Sequence, residues 1–254
     1  MELNLAGKRA LITGGSKGIG LACAHGLAAE GVHLAIAART VEPLKAATRA
    51  LRATYDVDVS SHSCDLARTE HQAALVDVVG PIDILVNNAG AIPGGTLDAI
   101  DEKEWRAAWD LKVFGYINLC RLVLPQMSDR GTGVIINIIG AAADRPSADY
   151  IAGAAGNAAL VGLTKALGGS APRSGVRVVG INPGLTLTAR LETLLRESAA
   201  RRLGDAERWE ELIPRDPAPA TAKQVADVVV FLASERAGHV SGTTLTVDGG
   251  SSAR

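Results

Sequence analysis

Short apolar runs alternate with amphipathic segments along the whole 254-residue chain. Runs bounded by Gly, Pro or charge, most of them rich in β-branched residues, lie at 9–13 (RALIT), 32–37 (VHLAIA), 58–63 (DVSSHS), 82–87 (IDILVN), 133–138 (GVIINI), 176–181 (VRVVGI) and 244–247 (TLTV). Near-continuous apolar runs of this length are what strands buried on both faces require. Between them, 18–30, 41–53, 67–79, 101–128, 147–169 and 221–233 read as helices. Strict β-α alternation predicts an α/β fold: one doubly wound parallel sheet of about seven strands, helices on both faces and right-handed crossovers. Residues 1–254 form a single domain in this reading.

One segment breaks the rhythm. From Leu185 to Pro219 the chain makes a long excursion, helical inside and closed by prolines. Its arginines suggest phosphate binding, but acids interleave with them throughout. A solvated face of i,i+4 ion pairs is the better account. Excursions of this length in compact domains often serve as lids or binding loops.

Composition narrows the classes of function. The net charge of −1 supplies no field to gather nucleic acid or an anionic membrane. Cys23, Cys64 and Cys120 show no CxxC spacing, and the five histidines form no HxxxH pattern. Neither a disulfide framework nor a metal site is expected. The N-terminus shows no secretory signal, and no apolar run approaches a membrane span. The expected location is the cytoplasm.

The first strand runs into TGGSKGIG, Thr13 to Gly20, and then into a helix. Glycines there let the backbone turn sharply and approach a pyrophosphate, which the helix N-terminus attracts. Between a first strand and a first helix, such a loop points to a dinucleotide. NAD selection places an acid at the end of the second strand. Here that strand ends in Ala37 and Ala38 followed by Arg39, and Lys17 lies in the glycine loop. Two cations without a carboxylate favour NADP(H), with NAD(H) as the alternative.

Five motifs, in order and spacing, resemble those of the short-chain dehydrogenase/reductase family over essentially the whole chain. They are TGGSKGIG (13–20), CDL (64–66), NNAG (87–90), NPG with Thr188 (182–188) and VSGTTLTVDGG (240–250). The resemblance implies a single Rossmann-type domain. It implies that Gly14, Ser16, Gly18, Ile19 and Gly20 hold the pyrophosphate. Asp65, Leu66, Asn88, Ala89 and Gly90 would lie by the adenine, and Pro183, Gly184 and Thr188 at the nicotinamide end. It also makes 185–219 a substrate loop and implies homotetramers or homodimers packed through the two long central helices.

The family's reactive residues are a tyrosine, a lysine four residues later, a serine about 13 residues earlier and an asparagine on the preceding long helix. AALVGLT (158–164), Trp105 and Gly115 anchor the comparison. The lysine position is then Asn157, the tyrosine position Gly153, the serine position Gly140 and the asparagine position Lys112. All four differ. Tyr150, three residues before Gly153, is the only phenol of that helix. The two glycines suggest a roomy pocket and a bulky ligand.

Three readings follow. In the first, an NADP(H)-dependent carbonyl/alcohol oxidoreductase uses a rebuilt site, with Lys112 supplying charge or a proton, Tyr150 as acid and Asn157 on the ribose. In the second, the protein binds the dinucleotide as a sensor or scaffold. In the third, a lyase or isomerase uses Lys112 with Asp144 or Asp149.

Overall fold

All seven apolar runs become strands of one sheet. They are β1 (Arg9–Thr13), β2 (His33–Ala38), β3 (Val59–Ser63), β4 (Ile84–Asn87), β5 (Gly133–Ile138), β6 (Val176–Pro183) and β9 (Thr244–Val247). A separate two-stranded pair joins β7 (Thr186–Leu187) to β8 (Ala220–Thr221) inside and at the end of the excursion. The structure is a computed structural model and describes residues 2–253. Every pairing in the large sheet is parallel, in the order β3-β2-β1-β4-β5-β6-β9. The order reverses between β1 and β4, which opens a crevice beyond their C-terminal ends.

Alternate residues of the central strands feed two cores. Ala10, Ile12, Leu34 and Ile36 face α1 (Gly18–Ala29), α2 (Val41–Thr54) and α8 (Ala222–Ala233). Leu11, Ala35, Leu85 and Ile135 face α3 (Thr69–Val79) and α5 (Gly115–Arg130), with α6 (Ile151–Ser170) closing that side. The strands at the two edges are buried less completely than the sequence suggests. In β3 only Val59 is buried, the rest alternating between half-buried and exposed, and β9 has no fully buried position, because each lacks a neighbour on one side.

Two helices differ from expectation. The stretch read as one helix over 101–128 is α4 (Glu102–Trp109), a π-helical turn (Asp110–Phe114) and α5. A π turn advances by i→i+5 bonding without disturbing the apolar spacing enough to show in sequence. The segment read as helical from 147 begins at Ile151. Tyr150 is its N-cap at φ −139°, ψ 41°, outside the helix and therefore not a turn below Gly153 on one face. Within the excursion, α7 (Ala189–Leu203) is followed by a 3-10 segment (Ala206–Leu212).

A buried polar chain ties the elements behind the crevice. Asn87 Nδ2 donates to Asn137 Oδ1 at 2.9 Å, and Asn137 Nδ2 donates to Thr164 Oγ1 at 3.0 Å. Joined in this way, three polar side chains in the core lock β4, β5 and α6 in one register, with Asn87 Oδ1 left buried and without a partner.

Candidate functional site

The loop after β1 is shaped by what cannot fit there. Gly14 has φ +66° and Gly18 φ +57°, values that disfavour other residues. A Cβ on Gly20 would lie 2.3 Å from Gly14 O. Asn88 holds this turn, donating through Nδ2 to Thr13 O at 2.9 Å and to Gly14 O at 3.3 Å. Thr13 Oγ1 in turn accepts from the N–H groups of Asn88 and Ala89. The NNAG stretch is therefore the clamp on the glycine loop. Lys17, the N-cap of α1, makes no side-chain cap, which leaves the first N–H groups of the helix free for a ligand.

A cavity of about 420 Å³ opens over this loop. Every residue that the sequence assigns to a cofactor lines it except Gly20 and Asn157. Gly20 lies under the turn. Exposed Lys17 and Arg39 stand at one end, and buried Ala37 and Ala38 offer no carboxylate. Among the described residues, Asp65 is the one acid lining the cavity, and its Oδ1 accepts from Ala67 N at 3.1 Å.

At the other end, the positions singled out by sequence divide. Lys112 leaves the π turn and runs past Gly90, where a Cβ would meet its Cδ at 2.8 Å. Its Nζ donates to Ile139 O at 2.6 Å. Lys112 thus lies behind the wall formed by Gly90 and Ile139 and does not line the cavity. Burial of the ammonium, with a smaller contribution from the Arg190 charge, lowers its pKa to about 8. Asn157 also lies behind the wall. Its Nδ2 turns to Gly140 O at 3.5 Å, and its Oδ1 is buried without a partner.

The two glycines do not open the space expected of them. A Cβ on Gly140 would lie 2.8 Å from Asn157 Nδ2, so the amide fills that volume. A Cβ on Gly153 would lie 2.0 Å from Tyr150 Cε1, so the phenol ring fills the other. Tyr150 lines the cavity although its backbone stands before the helix.

Arg190 is the residue that the sequence concealed. Arg196 and Arg208 behave as predicted, pairing on the surface with Glu192, Glu207 and Glu211. Arg190 instead turns inward from the first turn of α7, lines the cavity and donates to Ile92 O. It lies beside the Tyr150 oxygen. Burial raises the Tyr150 pKa, and the guanidinium opposes that rise by charge and by hydrogen bonding. The available signal was its place two residues after Thr188, whose hydroxyl accepts from Leu191 N and caps α7. Of the acids considered with Lys112, Asp144 is taken up by Asn182 Nδ2 and Thr246 Oγ1, and neither Asp144 nor Asp149 lines the cavity. No helix among the described residues is long and apolar enough to cross a membrane.

Comparison with known proteins agrees with this architecture. Residues 8–199 match the short chain dehydrogenase family model. The 2,3-dihydro-2,3-dihydroxybenzoate dehydrogenase of Bacillus subtilis is 34% identical over 255 residues, covering 97% of this chain and 96% of that protein. The acetoacetyl-CoA reductase of Shinella zoogloeoides is 34% identical over 250 residues, 95% of this chain and 97% of that one. Among solved structures, L-sorbose reductase from Gluconobacter frateurii, complexed with NADPH and L-sorbose, superposes with a TM-score of 0.90 at 35% identity, covering 98% of both chains. Matched over three quarters of its length by the family model, and over nearly all of it by dehydrogenases and reductases, this chain belongs to the short chain dehydrogenase family and is an oxidoreductase of that type.

Proposed function

We propose that the protein is an NADP(H)-dependent oxidoreductase that interconverts a carbonyl and an alcohol with a rebuilt set of reactive groups. The observation that carries the reading is the Tyr150 ring seated in the volume that a side chain at position 153 would need, with Arg190 beside its oxygen.

The cavity fits a dinucleotide on its own geometry. The turn at Gly14, Gly18 and Gly20 admits no Cβ without strain or collision with its own backbone and Asn88, which keeps the loop tight against the start of α1. The uncapped start of α1 presents N–H groups. Lys17 and Arg39 suit a 2′-phosphate, and the L-sorbose reductase, similar over its whole length, is described with NADPH. Ser16, Ile19 and the Asn88–Gly90 turn complete the walls, with Asp65 and Leu66 at the adenine and Pro183, Gly184 and Thr188 at the nicotinamide. The bound cofactor supplies or accepts a hydride at carbon.

The remaining chemistry falls to this chain. Reduction leaves negative charge on the substrate oxygen, and a proton must meet it there. Tyr150, a phenol protonated at neutral pH and held so more firmly by burial, carries that proton at its hydroxyl. Arg190 stabilises the phenolate that remains after transfer. Lys112 acts from behind the wall: it anchors the end of β5 at Ile139 and contributes positive charge. Asn157 supports the Gly140 turn, and in this arrangement it is a positioning residue.

A second reading, a dinucleotide-binding sensor, draws on Lys112 and Asn157 being committed to backbone carbonyls. Titration with NADPH and NADH, then absorbance at about 340 nm over a panel of ketones and alcohols, separates the two. Tight NADPH binding with no turnover on any substrate favours the sensor. Failure to bind either nucleotide removes both.

A further inference from the structure

The substrate end of the cavity holds positive charge without a counter-charge. Arg190 lines it from the first turn of α7, and the Lys112 ammonium lies close behind Gly90 and Ile139. The one lining acid, Asp65, stands at the far end and is engaged by its own turn. Elsewhere on the excursion, Arg196 and Arg208 pair with glutamates; among the described residues no carboxylate lies within ion-pair distance of Arg190. Its hydrogen bonds go to neutral oxygens, Ile92 O and the Tyr150 hydroxyl. A guanidinium carries five N–H donors in a planar fork matched to a carboxylate, so most of its capacity remains for a ligand.

Two cations near each other in a partly buried site, with no acid between them, repel and are costly to desolvate. The Arg190 charge already acts on both the Lys112 ammonium and the Tyr150 phenol. An anionic ligand would relieve that repulsion. The pyrophosphate cradle at Gly14–Gly20 has its own donors, the start of α1, whereas Arg190 faces Tyr150 and Ile92.

We propose that Arg190 grips a carboxylate of the substrate, so that the protein acts on an oxo or hydroxy acid whose reacting oxygen meets Tyr150. This rests on the oxidoreductase reading for the reaction, though not for the binding. On ligand arrival the guanidinium exchanges its bond to Ile92 O for a bidentate pair with the carboxylate, and Tyr150 borders the same ligand.

The test uses the full chain saturated with NADPH. Benzoate, hexanoate and levulinate are each titrated beside the matching amide, with calorimetry as readout. At least one acid should bind about 10-fold or more tightly than its amide, the difference expected of a charge-assisted hydrogen bond. In Arg190→Gln the ratio should fall towards one, and in Arg190→Lys it should be retained in part. A ratio near one for every pair in the wild-type protein overturns the proposal, as does a preference that survives Arg190→Gln. If Arg190 served the cofactor pyrophosphate instead, saturating NADPH would abolish the preference, which also overturns it. The same pairs run on the protein alone by thermal shift keep the question separate from the cofactor. Loss of the oxidoreductase reading would show as absent NADPH binding or absent turnover, with the acid-to-amide ratio still measured.

Discussion

The Tyr150 ring lies against Gly153 so closely that a Cβ at 153 would stand 2.0 Å from its Cε1. Glycine at 153 is thus the condition for a phenol that belongs, by backbone position, outside the helix. Gly153→Ala should expel the ring from its rotamer at a cost of about 0.5–1.5 kcal/mol in stability. Tyr150→Phe keeps the ring and removes the proton. Both variants should lower kcat by about 10²-fold or more, as expected for loss of a general acid. Steady-state turnover at wild-type rates in either one would remove Tyr150 from the chemistry.

Gly20→Ala tests the cradle. The new methyl would meet Gly14 O at 2.3 Å and Asn88 Nδ2 at 2.5 Å; the first is backbone, and the second is held by its bonds to Thr13 O and Gly14 O. Overpacking of this sort typically costs about 1–3 kcal/mol. A lower Tm is expected together with loss of NADPH-induced stabilisation. A variant that keeps the wild-type melting shift with NADPH would show that the loop does not carry the cofactor.

Cofactor choice rests on two exposed cations. Lys17→Ala and Arg39→Ala should each weaken NADPH binding by about 10-fold or more, the usual weight of a hydrogen bond to a charged group. NADH affinity should change little, because the 2′-phosphate is the group removed. Fluorescence titration with both nucleotides decides the matter: an equal loss for both would place these residues elsewhere than at that phosphate.

Lys112 makes stability depend on pH in a known direction. Its pKa falls from 10.5 in the free residue to about 8 in the folded protein. Below pH 8 both states carry the proton, and the folded state bears the full cost of a crowded ammonium. Between those two values the unfolded chain binds more protons than the folded one, so stability rises with pH. Denaturant unfolding on either side of the window should show the rise in the wild type and its absence in Lys112→Met. The same slope in both proteins would assign the dependence to another group.

Much of this architecture was legible in one dimension. Residues such as Ile12, Ile36 and Val86 form runs whose burial on both faces follows from their position between two helical layers. The glycine loop was equally legible, because positive φ at Gly14 and Gly18 and the close approach at Gly20 leave residue type little freedom. The edge strands β3 and β9 were less so, since solvent on one side weakens the apolar pattern that marks a strand.

The reactive end was not legible, and the reasons are particular. The π turn at Asp110–Phe114 sets Lys112 beside Ile139 rather than in the cavity, and its bonding leaves no clear trace in the spacing of apolar residues. The absent side chains at 140 and 153 read as open space until Asn157 and Tyr150 were found filling it. Arg190 looked like its neighbours in a run of mixed charge, and only its carbonyl partner, 98 residues away at Ile92, sets it apart. Periodicity and backbone demand are local, so the sequence by itself determined the sheet, its layers and the cradle. Which side chain occupies a volume depends on segments far apart in the chain, and that was decided by packing.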